Sequence, residues 1–132
     1  TIHLQGGRDM IQAANEAKGD TKILGVSLLT SLDDSDTREL YNNDFKKQFD
    51  NLIDVAMETK IDGIVCSSQE LELIKNTSLI KVVPGIRNQH TFDDQKRVMT
   101  SGEAYSKGAD YIVVGRPITQ AKDIGEAIKD YS

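Results

Sequence analysis

The 132-residue sequence is 38% hydrophobic, which favours one folded domain with a single core over a disordered chain. Its formal net charge is −5, and its sixteen Lys and Arg residues are scattered among twenty-one Asp and Glu, which argues against a nucleic-acid partner. The apolar runs are far shorter than the ~20 residues of a membrane helix, and no signal peptide or lipidation motif is visible. The single cysteine, Cys66, fits a reducing compartment, so the cytoplasm is the default location.

Five short apolar runs alternate with five segments of helical periodicity. The predicted strands are 2–4, 22–29, 63–66, 80–83 and 111–114, and the predicted helices are 9–18, 44–59, 68–75, 101–107 and 122–131. Ser67 with Glu70, and Thr100 with Glu103, have the spacing of capping boxes at helix starts. The order βαβαβαβαβα predicts a parallel sheet covered by helices.

Two architectures fit this alternation: an open doubly wound sheet and a (β/α)8 barrel. The repeat averages about 26 residues, close to the roughly 30 per unit of an eight-unit barrel. A five-stranded open sheet of this length would be equally ordinary, so length does not choose between them. Gly19 and Gly108 stand where a helix end often needs a left-handed residue. The long connections 31–43 and 85–99 follow the carboxyl ends of strands, where α/β proteins place binding loops.

Glycine followed by arginine ends the last predicted strand and recurs one strand earlier. Gly115 would let a ligand approach the backbone, and Arg116 would add a cation with forked donors suited to phosphate. Gly85 and Arg87 repeat the arrangement, so two neighbouring strand ends predict a phosphate site. For an isolated Gly-Arg pair, a tight turn and a solvated charge would be the simpler interpretation. Gln95 also has two interpretations: it could reach over a ligand, or, more simply, lie in a polar surface loop.

Thr30 and Ser31 end another strand at the same predicted edge. Their hydroxyls suit an imide or amide edge, although either could instead cap local backbone. Cys66, His3 and His90 lack the spacing of a zinc site, and no phosphate-binding P-loop or dinucleotide fingerprint occurs. Cys66 is more typical of a small core residue than of a nucleophile.

Five segments together resemble the bacterial type of the orotidine 5′-phosphate decarboxylase family. They are residues 25–31 (GVSLLTS), 62–67 (DGIVCS), 83–87 (VPGIR), 94–97 (DQKR) and 113–119 (VVGRPIT). The resemblance covers nearly the whole chain and implies an α/β fold, a (β/α)8 TIM barrel of which residues 1–132 supply about the last five βα units. The chain start inside a strand suggests that the early strands belong to a preceding segment.

The resemblance also implies which residues meet a ligand. Arg116 with Gly115 would bind a 5′-phosphate, Gln95 would bridge phosphate and pyrimidine, and Arg87 would line the same end. Thr30 and Ser31 would meet the pyrimidine edge. Two positions depart from the family pattern, since Asn88 and Ser101 stand where the family commonly has proline.

The family removes the C6 carboxylate of the pyrimidine without a cofactor, using an Asp and Lys network with the pattern D-x-K-x-x-D. Asp20 and Lys22 lack the second aspartate, and Asp44 and Lys46 fall on a predicted helix, so no catalytic residue and no metal ligand is assigned. The leading hypothesis is the ligand-binding C-terminal part of this decarboxylase, inactive when isolated. A related sugar-phosphate lyase or synthase and a non-catalytic phosphate-binding module stay open. By resemblance the partners are a nucleotide, the early strands and a second copy in a homodimer.

Overall fold

The computed structural model describes residues 1–88 and 99–132 of the chain. Five strands in these residues form one parallel sheet in the order β1-β2-β3-β4-β5. They are β1 (Ile2–His3), β2 (Leu24–Val26), β3 (Gly63–Val65), β4 (Ile80–Pro84) and β5 (Tyr111–Val113). Four of the five match the predicted runs to within one residue, and β2 is shorter than the predicted run 22–29.

Helices connect the strands and form the outer layer. In the described ranges they are α1 (Gly7–Ala17), α2 (Asp34–Tyr41), α3 (Phe45–Glu58), α4 (Ser101–Ser106), α5 (Arg116–Thr119) and α6 (Ile124–Lys129). Short 3-10 segments occur at Leu4–Gly6 and Leu71–Ile74. The predicted box at α4 is confirmed, because the Thr100 side chain accepts from the Glu103 backbone N–H and Glu103 reaches back to Thr100.

Two local predictions need correction. Residues 68–75 do not form an α-helix: the Glu70 carboxylate accepts from Ser67, and only Leu71–Ile74 follows, as a 3-10 segment. The connection 31–43 is not irregular throughout, since α2 lies within it. Asp33 and Asp36 form a capping box at the start of α2, and of this polar helix only Thr37 is buried.

The sheet has one covered face and one open face. Register places Gly25, Ile64 and Lys81 side by side on the covered face, where Ile64 and Val83 are fully buried in the core. The alternate positions form the open face, where Tyr111 is 62% exposed and Val113 is 49% exposed. The apolar side chains of the open face include Leu24, Val26, Val65, Ile80, Val82, Tyr111 and Val113.

Strand order and coverage favour the barrel over the open doubly wound sheet. A doubly wound sheet reverses its strand order at a switch point and carries helices on both faces. Here the described strands follow chain order without reversal, and the core lies on one side. Consecutive neighbouring strands with helices outside are the arrangement of a (β/α)8 barrel.

Candidate functional site

The predicted ligand contacts follow the carboxyl ends of three strands. Thr30 and Ser31 come after β2, Arg87 comes after β4, and Gly115 with Arg116 follows β5. Because all five strands are parallel, these ends lie along the same edge of the sheet. Arg87 and the Gly115–Arg116 pair end neighbouring strands, whereas Thr30 and Ser31 lie two strands away from β4. Gln95 belongs to residues 89–98, outside the described part of the chain.

Arg87 is buried and directed by its own backbone. The residue is 9% exposed, and its Nη1 donates to the Ile86 carbonyl at 2.8 Å. Its backbone N–H donates to the Met99 carbonyl at 3.0 Å, beside a bridge between Ile86 and Met99. The guanidinium presents a planar set of donors at low exposure, so this site differs from the solvated side chain that residue type alone would suggest.

Gly115 and Gly85 differ in backbone conformation. Gly85 has a φ of 77°, a left-handed conformation that favours glycine and accounts for the residue by local geometry. Gly115 has a φ of −99°, and a Cβ added there would meet no atom within 4 Å. The space beside the Gly115 backbone is therefore open, as close approach of a ligand would require.

Arg116 is the first residue of α5 and is exposed. The N–H groups of Ile118 and Thr119 both donate to the Gly115 carbonyl, which closes the turn directly after β5. Pro117 in the first turn suits a helix start, since its missing N–H would have no intrahelical partner there. The turn thus holds an exposed cation beside the open space at Gly115.

The end of β2 is anchored by contacts that the sequence patterns do not predict. The backbone N–H and the Oγ of Ser27 both donate to the Val65 carbonyl, at 3.1 and 3.0 Å. Gln5 Nε2 donates to the Ser27 carbonyl at 2.9 Å and so links the region after β1 to β2. Beyond this anchor, Thr30 is partly buried and Ser31 is exposed.

The family model for "Orotidine 5'-phosphate decarboxylase / HUMPS family" matches residues 1–131. The chain belongs to this family. It is 45% identical over 129 residues to the orotidine 5′-phosphate decarboxylase of Aquifex aeolicus, covering 93% of this chain and 56% of that protein. It is 42% identical to the Ehrlichia chaffeensis protein of the same name, covering 98% of this chain and 59% of that one. The chain therefore spans less than two thirds of these relatives.

Solved structures agree with the family assignment. The orotidine 5′-phosphate decarboxylase of Lactobacillus acidophilus superimposes with a TM-score of 0.80 at 30% identity, over 99% of this chain and 63% of that one. The Pyrococcus horikoshii enzyme gives a TM-score of 0.73 at 27% identity, over 98% of this chain and 58% of that one. The prediction of a partial (β/α)8 barrel is confirmed.

Neither partial match to the family's Asp and Lys pattern lies at the predicted ligand contacts. Asp20 and Lys22 are exposed and precede β2, at the edge opposite the predicted ligand contacts. The Asp44 carboxylate accepts from the Lys47 backbone N–H at 2.8 Å and caps α3. Cys66 is 1% exposed in the core, as expected of a small apolar residue. His3 is exposed at the end of β1.

A cavity of about 480 Å³ is formed by residues that follow β2 and β3 in the chain, together with Phe45 of α3. Its lining contains none of the predicted ligand contacts. One lining residue, Asp34, accepts from the Phe45 backbone N–H and from Arg38 Nε, and these contacts hold the pKa of the Asp34 carboxyl below its usual value. The lining residues are Leu32, Asp33, Asp34, Phe45, Gln69, Glu70 and Leu73.

Residues 1–88 and 99–132 contain neither a candidate membrane helix nor a candidate metal cluster. No helix there combines the length and apolar character needed to cross a membrane. No cluster of three or more His, Cys, Asp or Glu side chains there has the arrangement of a metal site.

Proposed function

We propose that the chain carries the phosphate and pyrimidine contacts of an orotidine 5′-phosphate decarboxylase, which converts orotidine 5′-monophosphate to uridine 5′-monophosphate (UMP) in pyrimidine biosynthesis. The observation that carries the proposal is the pair of arginines at neighbouring strand ends, Arg87 after β4 and Arg116 after β5. Two guanidinium groups at one edge of a parallel sheet suit the two negative charges of a phosphate monoester.

The remaining contacts extend from this phosphate end. The open space at Gly115 lets a phosphate oxygen approach the backbone at the start of α5. Thr30 and Ser31 lie two strands away, and their hydroxyls supply donors and acceptors for the imide edge of the pyrimidine. Gln95 would bridge the two ends of the nucleotide. An imide contact favours a pyrimidine nucleotide over a bare sugar phosphate.

Binding and bond breaking belong to different parts of the barrel in this proposal. The chain forms the C-terminal part of one barrel domain, and the Asp and Lys network lies on strands that this chain does not supply. The isolated chain would then bind nucleotide without removing CO2. Its partners would be the early strands of the barrel and a second copy in a homodimer, in the cytoplasm and without a cofactor.

Titration of the chain with UMP tests the proposal. We expect Arg116→Ala to weaken UMP binding at least about tenfold, because a hydrogen bond to a charged group is worth roughly 1.5–3 kcal/mol. Arg38→Ala is the matched control, since Arg38 is an exposed arginine of α2 paired with Asp34. Wild-type affinity in Arg116→Ala would contradict the proposal.

Two added measurements separate the alternatives. A related sugar-phosphate enzyme would bind ribose 5-phosphate as tightly as UMP, whereas the pyrimidine contacts predict tighter UMP binding. Loss of orotidine 5′-monophosphate absorbance in the presence of the purified chain would show that the catalytic groups lie within these 132 residues, against the proposed division.

A further inference from the structure

The two positions that depart from the family's proline pattern are hydrogen-bonded to each other. Asn88 Nδ2 donates to Ser101 Oγ at 3.0 Å, and the Ser101 backbone N–H donates to Asn88 Oδ1 at 2.8 Å. The pair therefore joins the residue after Arg87 to the first residue of α4. The sequence predicts no ligand contact for either residue.

Asn88 also reaches the end of the chain. Its Nδ2 donates to the Asp130 carbonyl, and its backbone N–H donates to Tyr131 Oη at 3.2 Å. Both Nδ2 hydrogens and the Oδ1 of Asn88 thus have partners, on two separate segments. A single side chain ties the end of β4 to α4 and to the residues after α6.

This cluster adjoins the buried arginine of the candidate phosphate site. The N–H groups of Arg87 and Asn88 are anchored one after the other, to Met99 and to Tyr131. The Nη1 of Arg87 donates to the Ile86 carbonyl, so a shift in the backbone of residues 86–88 would displace this contact. The hydrogen bonds of Asn88 hold the backbone from which this contact is made.

Proline at either position would remove a donor that this cluster uses. A proline at 88 lacks the N–H that meets Tyr131, and a proline at 101 lacks the N–H that meets Asn88. A pyrrolidine ring instead restricts the backbone directly by fixing φ. Ser101 is the first residue of α4, a position that accepts proline well.

We propose that Asn88 is a positioning residue for Arg87, and that its hydrogen bonds to Ser101, Asp130 and Tyr131 restrict the backbone after β4, which proline at positions 88 and 101 would restrict through its ring. The inference rests on the proposed function for its ligand, a nucleotide 5′-phosphate. It adds that Asp130 and Tyr131, the residues that follow α6, hold the phosphate end in place without touching substrate.

The test compares Asn88→Ala with a matched control in the 132-residue chain. We expect Asn88→Ala to weaken UMP binding about tenfold while the weaker affinity for uridine, which lacks the phosphate, stays unchanged. The double variant Asn88→Pro with Ser101→Pro should recover most of the UMP affinity. Asn15→Ala is the control, because Asn15 Nδ2 also donates to a backbone carbonyl, that of Thr59, near the carboxyl ends of α1 and α3.

A second measurement needs no ligand. The ¹⁵Nε signal of Arg87, assigned by its loss in Arg87→Lys, should be sharp in the wild type and broadened in Asn88→Ala. An unchanged Arg87 signal, or equal losses of UMP and uridine affinity in Asn88→Ala, would overturn the inference. Failure of the wild-type chain to bind UMP would instead count against the proposed function, and the Arg87 signal would still decide the role of Asn88.

Discussion

Asp62 and Asp110 use the same contact to join neighbouring strands at the edge opposite the candidate site. Each stands one residue before a strand. The Asp62 carboxylate accepts from the Ile23 N–H, just before β2, at 2.7 Å, and the Asp110 carboxylate accepts from the Lys81 N–H, within β4, at 2.8 Å. Lys18 Nζ also donates to Asp62 at 2.6 Å. The Lys18 contact first, and the Ile23 N–H second, hold the pKa of the Asp62 carboxyl below its usual value.

The Asp62 contact should make stability depend on pH. A lowered pKa in the folded chain stabilises it fully above the ordinary aspartate pKa of about 3.9, and this contribution is lost as pH falls through the lower folded value. We expect Asp62→Asn to lower the free energy of unfolding by about 1 kcal/mol near neutral pH, with the difference closing below about pH 4. Urea denaturation across this range measures it.

The control for Asp62→Asn is Asp54→Asn, which changes an exposed carboxylate on α3. We expect this substitution to alter the free energy of unfolding by less than about 0.5 kcal/mol. A loss in Asp62→Asn that stayed constant from neutral pH to pH 2 would show that the Asp62 charge does not stabilise the fold.

At the same scale, the candidate site combines positions predicted from residue type with contacts that local sequence does not encode. The space beside Gly115 is open, which is compatible with the predicted phosphate contact. The burial of Arg87 and the bond from Gln5 to Ser27 were not predictable, since both depend on segments distant in the chain.

At the scale of elements, the two capping boxes predicted from S/T-x-x-E spacing behave differently. Thr100 and Glu103 start the helix α4 and are largely exposed. Ser67 and Glu70 instead lie buried, with the Ser67 N–H and Oγ donating to the two oxygens of Glu70 at 2.7 and 2.5 Å. The spacing predicts the side-chain contact in both cases, but an α-helix follows only at the exposed box.

Because Glu70 is buried and Glu103 is exposed, we expect loss of the Glu70 carboxylate to lower the free energy of unfolding more. Glu70→Gln places an NH2 group where a buried oxygen accepted a hydrogen bond, and we expect the free energy of unfolding to fall by about 1–3 kcal/mol. Glu103→Gln is the matched substitution in an exposed box, where water can replace the lost contact, and should cost no more than about 0.5 kcal/mol. Chemical denaturation of both variants at one pH measures the difference, and equal costs would contradict the role given to burial.

For the whole molecule, the sequence predicts alternating strands and helices but leaves the choice between barrel and open sheet to tertiary structure. Short apolar strands look alike whether one face or both faces are covered by helices. The choice depends on strand order and on which face the core occupies, and neither is encoded in local periodicity. The resemblance of the five motifs therefore predicts the barrel where periodicity does not.

The open face predicts how the chain behaves in solution. Tyr111 and Val113 project from a strand whose outer edge has no paired strand within the described residues, and they are 62% and 49% exposed. In a closed barrel this face would be covered by side chains from the other strands. We expect the 132-residue chain to self-associate through this face, because exposed apolar surface beside an unpaired strand edge drives association.

Light scattering during gel filtration tests this expectation. Val113→Lys places a charge on the open face and should shift the chain toward the monomer at micromolar concentration. Leu40→Lys is the control, because Leu40 is 62% exposed on α2, away from the sheet. If both substitutions reduced association equally, the association would be nonspecific and would not occur through the face that a complete barrel encloses. A specific effect of Val113→Lys would instead identify the face on which the rest of the barrel is expected to pack.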